Sequence, residues 1–237
     1  MVATRSGIVA LVGSGEFLPV SEPLDRVLLE RLSEPARVVV LPTASAPDGQ
    51  GVPERWAKMG VEHFTRLGTA VEPVMALTRA DAASSALAGR IAAANMVYLS
   101  GGKPGYLVDT LRDTAVWRAI VGVYAAGGVV AGCSAGAMAL AGRLLGVPLV
   151  QSGRPALGLV PELAVVPHFD ELPRWLSGFV RLAASGVPVA GVEGATALII
   201  HGDEWSVAGR GGVTLFAGGR RTRYSAGERI TRPRSPE

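Results

Sequence analysis

The nine residues Val129–Ala137, VVAGCSAGA, constrain this chain more than any other segment. An apolar strand runs into Gly-x-Ser-x-Gly, and that pattern calls for a strand end, a sharp turn and a helix that starts at once. Gly132 and Gly136 let the backbone turn tightly and pack closely. The turn lifts the Ser134 hydroxyl clear of the sheet, and the next backbone N–H, that of Ala135, points where an oxyanion would develop. With 31 glycines in the chain, roughly 0.3 such pentapeptides would arise by chance, so the surrounding sequence has to carry the rest of the argument.

The surroundings read as an α/β fold. Short β-branched runs alternate with longer amphipathic stretches, the pattern of a mostly parallel sheet flanked by helices. Strands are predicted at Gly7–Val12, Arg37–Leu41, Val71–Met75, Met96–Leu99 and Val129–Cys133, and helices at Glu22–Leu32, Pro53–Leu67, Ala80–Ala94, Gly105–Thr110 and Ala115–Ala126. Runs such as VVVLP and GVVAG are apolar throughout, which fits burial on both faces. In such sheets ligands gather beyond the carboxyl ends of the strands, where the segments Gly13–Phe17, Thr43–Asp48, Ser100–Gly105 and Cys133–Ala137 fall. After Ala141 come Ala164–Phe169, a helical Pro173–Ala184, and strand-like pieces at Val187–Val192, Ala197–His201, Trp205–Ala208 and Val213–Phe216. Turn signals separate those pieces and predict a C-terminal antiparallel β extension of the same domain. Residues 1–227 are thus expected to form a single domain, and 228–237 a flexible basic tail.

Composition narrows the function classes. At 49% apolar and 18% charged residues the chain can bury a sizeable core, and no apolar run is long enough to predict a membrane span. The N-terminus lacks a signal-peptide pattern, and the single cysteine, Cys133, can form neither an internal disulfide nor a zinc site; both point to the cytoplasm. Residues 210–237 hold seven arginines against Glu228 and Glu237. The net charge of +3 therefore resides in the C-terminal segment, and without interleaved aromatics it predicts no nucleic-acid or membrane partner.

A serine nucleophile needs a base, and the chain has three histidines. His63 lies in a helical pattern and His201 follows the apolar run ALII, which suggests structural roles. His168 ends VVPH, where a strand terminus can aim its ring at Ser134. The base needs an orienting acceptor in turn, and no Asp or Glu lies between Ser134 and Glu162. Beyond Glu162, Asp170 and Glu171 are so near His168 in sequence that reaching its distal nitrogen is awkward, while Glu193 stands at a strand end before Gly194. A second oxyanion donor is expected from Gly101 or Gly102 in the Ser100-Gly101-Gly102 turn. Gly13-Ser14-Gly15 lacks the rest of a nucleotide fingerprint.

Taken together, YLSGGKPGYL, AGCSAGAM, LGLVPELAVVPHFDELP and GVEGATALI resemble the S51 serine peptidases, the group that includes aspartyl dipeptidase (peptidase E) and cyanophycinase. The resemblance spans about residues 95–200. It implies a class I glutamine amidotransferase-like, flavodoxin-like fold in which serine replaces the amidotransferase cysteine. It also implies a Ser134–His168 pair with Glu193 as the preferred third member, because the Asp that relatives of peptidase E draw from between Ser and His is missing here. The scheme implies no metal or organic cofactor, a small peptide or amide as substrate, and an assembly in which a homodimer is open. Departures are Lys103-Pro104 after the double glycine, and Leu172 where cyanophycinase-like members carry the first of two arginines. A taste for acidic residues would need a cation near Ser134, for which Lys103, Arg154 and Arg174 are the candidates. The expected activity is hydrolysis of a short peptide or isopeptide through an acyl-enzyme. A catalytically silent ligand- or partner-binding domain, or an esterase or amidase using the same triad, are the alternatives.

Overall fold

A computed structural model describes residues 7–145, 153–173 and 187–233. Its centre is an eight-stranded sheet whose parallel part carries the elbow. Strands β1 (Ile8–Val12), β2 (Arg37–Leu41), β3 (Ala70–Pro73), β4 (Met96–Leu99) and β5 (Val129–Cys133) run parallel in the order β1-β5-β4-β2-β3. The helix after β1 packs on one face and the helix after β5 on the other, which is where sheets of this kind place a site beyond the carboxyl ends of adjacent strands. Antiparallel strands β9 (Thr196–His201), β10 (Glu204–Gly209) and β13 (Arg229–Thr231) extend the sheet past β1.

The uniformly apolar strands are buried on both faces. Val9, Leu11, Val39, Leu41, Val97, Leu99 and Val130 point into one core together with helices α5 (Pro104–Leu111), α6 (Ala115–Ala125) and α7 (Ala135–Leu140). Ile8, Ala10, Val12, Val38, Val40, Met96, Tyr98, Val129, Ala131 and Cys133 point into the other, against α1 (Glu22–Leu29) and α2 (Val52–Arg66). Side chains alternate across a strand, so a strand that reads as one apolar run feeds two cores.

Elsewhere the structure differs from the sequence reading in instructive ways. The helix predicted over Ala80–Ala94 is two, α3 (Arg79–Ala82) and α4 (Ser85–Ala92). Ser84 interrupts it because its side chain accepts the Leu87 N–H, capping a new helix instead of continuing the old one. The C-terminal strands divide between two sheets. A second sheet of five strands, ordered β12-β11-β8-β7-β6, is formed by β6 (Ala141–Arg143), β7 (Val160–Val166), β8 (Val189–Val192), β11 (Gly212–Ala217) and β12 (Arg220–Ser225). The tail expected from residue 228 is part of the fold at its start: β13 pairs with β10, and the buried Ile230 faces the buried Trp205. The helix expected over Pro173–Ala184 lies, from residue 174 on, outside the described residues.

Candidate active site

Ser134 joins β5 to α7 with φ 50° and ψ −108°, a backbone conformation that costs a non-glycine residue free energy and is tolerated where surrounding contacts enforce it. Those contacts are visible. The Ser134 N–H donates to Val12 O at 3.0 Å, tying the turn to β1. A Cβ on Gly132 would meet the Gly136 carbonyl carbon at 2.5 Å, and one on Gly136 would meet Leu99 O at 2.4 Å, so both glycines allow α7 to lie directly on β5 and β4.

His168 reaches this serine from the loop after β7, with Nε2 3.1 Å from Ser134 Oγ. Each residue of the loop has a separate contact. His168 is held at φ 52°, the Phe169 N–H donates to Val192 O, and the Phe169 ring lies on Gly191 of β8 and edge-on to Phe216, with centroids 5.8 Å apart. Asp170 Oδ1 accepts the Gly194 N–H at 2.8 Å. The Glu171 N–H donates back to His168 O, closing a turn that brings Glu171 Oε1 to 3.2 Å from His168 Nδ1.

That turn relocates the acceptor of the histidine. Glu193, the carboxylate preferred from sequence, accepts the Gly212 N–H and two guanidinium N–H groups of Arg223, each at 2.8 Å. Those Arg223 hydrogen bonds hold its carboxyl below the usual range. Both of its oxygens are thereby engaged away from His168, and Glu171, three residues along the chain, is the carboxylate that lies beside Nδ1. Glu162 pairs instead with Arg232.

The backbone groups suggested as oxyanion donors are differently placed. Ala135 occupies the first position of α7, where an N–H has no intrahelical acceptor. Gly101, offered from sequence as an alternative to Gly102, donates its N–H to the buried Glu16 carboxylate at 2.9 Å. Gly102, at φ 138°, presses its backbone against the Ala44 carbonyl, and its N–H has no acceptor among the described residues. Cys133, one residue before Ser134, is fully buried with Sγ 2.9 Å from Glu16 Oε2; burial, then the Glu16 charge, push its thiol well above its ordinary pKa. The other two histidines make no hydrogen bond to Ser134 and are placed differently. His63 is fully buried with Nε2 2.7 Å from Asp25 Oδ2, and His201 is exposed at the end of β9.

Residues 9–208 match the model of peptidase family S51. The chain belongs to that family. Among solved structures it is similar to a peptidase from an acI-B1 Actinobacterium, at 30% identity over 96% of this chain and 98% of that one with a TM-score of 0.87. Its fold is also similar to that of a putative peptidase E protein from Listeria monocytogenes EGD-e, at 20% identity over 86% of this chain and 98% of that one with a TM-score of 0.64. No curated protein matches it.

In this S51 peptidase the cations suggested from sequence are differently employed. Lys103 Nζ lies 3.5 Å from Asp48, and Arg154 donates to Gly105 O while pairing with Asp109 at 3.1 Å. Arg174 lies outside the described residues. Beside the His168 loop a cavity of about 540 Å³ is lined by Phe169, Asp170, Thr214, Arg221 and Arg223 among others. Sequence reasoning missed this wall because β12 carries no apolar alternation. A larger cavity of about 680 Å³ lies between α1 and the β10–β13 edge, and neither Ser134 nor His168 lines either cavity. No helix among the described residues is long and apolar enough to cross a membrane.

Proposed function

We propose that this peptidase hydrolyses short peptides or isopeptides through an acyl-enzyme formed on Ser134. The observation that carries the proposal is the 3.1 Å contact between Ser134 Oγ and His168 Nε2 at a strained strand-to-helix turn. In acylation Oγ attacks the scissile carbonyl while His168 Nε2 takes its proton, and the oxyanion is met by the N–H groups of Ala135 and Gly102. Glu171 accepts from Nδ1–H and holds the ring in the tautomer that leaves Nε2 free to accept. His168 then protonates the leaving amine, and water attacks the ester with His168 again as base.

A silent binding domain predicts a serine and histidine held apart, and the contact between them argues against it. A preference for acidic residues has less support, since Lys103 and Arg154 already face carboxylates. The single cysteine fits action in the cytoplasm. The test is treatment with a serine-reactive fluorophosphonate, followed by location of the adduct and assay of a dipeptide panel beside simple esters. Labelling confined to Ser134, with Ser134→Ala and His168→Ala reduced by at least about 1,000-fold, is the expected result. An adduct elsewhere, or an active Ser134→Ala, would reject the scheme; faster turnover of esters than of any dipeptide would reassign the substrate.

A further inference from the structure

Glu16 is a buried carboxylate that the scheme above leaves without a task. It is 6% exposed and has no ion pair among the described residues, although removing a carboxylate from water without a counter-charge is costly and an apolar side chain would serve the core better. Its two oxygens are used separately: Oε1 accepts the Gly101 N–H at 2.9 Å, and Oε2 receives the Cys133 thiol at 2.9 Å. Gly101 belongs to the loop after β4, and Cys133 is the last residue of β5 before the nucleophile. One side chain therefore ties together the two segments that flank the oxyanion position. The approach is close, since a Cβ on Gly101 would lie 2.7 Å from Glu16 Oε1 and 3.5 Å from Ser134 Cβ.

The residues around Glu16 hold it in place. Gly15 is at φ 85° and Phe17 at φ 62°, both left-handed, and the Phe17 ring is packed among Trp56, His63, Phe64 and Tyr98 at centroid distances of 5.1–6.3 Å. A strained non-glycine backbone persists where its surroundings over-determine it, and here that aromatic cluster does so. We infer that Glu16 is a positioning residue for acylation: by holding the Gly101 amide and Cys133 together, it fixes the β4–α5 loop against the elbow so that Gly102 supplies the second oxyanion donor. The inference rests on the serine-hydrolase reading of the site. It assigns no proton transfer to Glu16 and requires only an acceptor at the right reach.

The rate of inactivation by the fluorophosphonate, separated into kinact and KI, tests this without a known substrate, alongside the melting temperature of each variant. Glu16→Ala is expected to lower kinact about 10- to 100-fold with KI changed less than about twofold, the signature of an interaction felt in the transition state. Glu16→Gln keeps an amide oxygen at the same reach and is expected to react within about threefold of wild type. Glu16→Asp, one methylene shorter, is expected to fall with the alanine variant, and the Asp and Gln pair decides the matter if the alanine variant does not fold. A folded Ala or Asp variant with wild-type kinact, a loss confined to KI, or a Gln variant as slow as Ala would each overturn the inference. An unlabelled wild-type Ser134 would instead defeat the serine-hydrolase reading and this inference with it.

Discussion

Substituting Gly191 with alanine should cripple the enzyme without touching any group that meets the substrate. Gly191 is buried in β8, and a Cβ there would lie 2.5 Å from Cγ and Cδ2 of Phe169 and 2.8 Å from Cε2. To regain an ordinary contact the ring must retreat by about 1 Å, and a shift of that order in the adjacent His168 costs up to about 100-fold, or about 2.7 kcal/mol of transition-state stabilisation. The overpacking itself should cost about 1–3 kcal/mol of stability and lower the Tm by about 2–12 °C. The assay is kcat/KM on the best dipeptide, run well below the melting point, together with the rate of Ser134 labelling. Phe169→Leu supplies the control: if the ring transmits the clash, adding Gly191→Ala in that background should cost much less than in the wild type. A folded Gly191→Ala protein with kcat/KM within twofold of wild type would refute the argument that the Phe169 contact sets the position of His168.

Three further perturbations separate catalysis from stability. Glu171→Gln should lower kcat/KM by about tenfold with little change in Tm, because an exposed carboxylate orients the imidazole while water can partly replace it. Glu193→Gln should do the reverse, costing about 1 kcal/mol of stability and leaving kcat/KM within about threefold. Because the folded-state pKa of Glu193 is depressed, its contribution is complete above the unfolded carboxylate pKa and fades as pH falls through the folded value; denaturation curves of the two proteins should converge in acid. If Glu193→Gln is the slower enzyme, the two carboxylates have been assigned the wrong way round. Asp25→Ala leaves Nε2 of the fully buried His63 without its partner and should cost about 1–3 kcal/mol in urea denaturation with normal activity per folded molecule. A loss below about 1 kcal/mol would show that the pair is dispensable.

How much of this site could be read from sequence depends on whether a residue's role is set by its own chemistry or by a partner far along the chain. The elbow is legible because each member of Gly132-Cys133-Ser134-Ala135-Gly136 is dictated locally: two positions leave no room for a side chain, and the central one must expose a hydroxyl. His168 is legible because it stands where a strand ends above the parallel sheet. The carboxylate beside His168 is not, for two connected reasons. Glu171 reaches His168 only because a non-glycine residue adopts φ 52° and the turn closes on its carbonyl, a conformation no residue type advertises. Glu193 looked free because the group that engages it, Arg223, lies in β12, whose sequence RRTRYS has none of the alternation that marks a half-buried strand. Its strandedness comes from pairing with β11 at a sheet edge rather than from burial. A polar edge strand, invisible to hydrophobic periodicity, therefore carries the arginine that engages Glu193, and the same blindness to β12 is why Glu193 reads as free in the sequence.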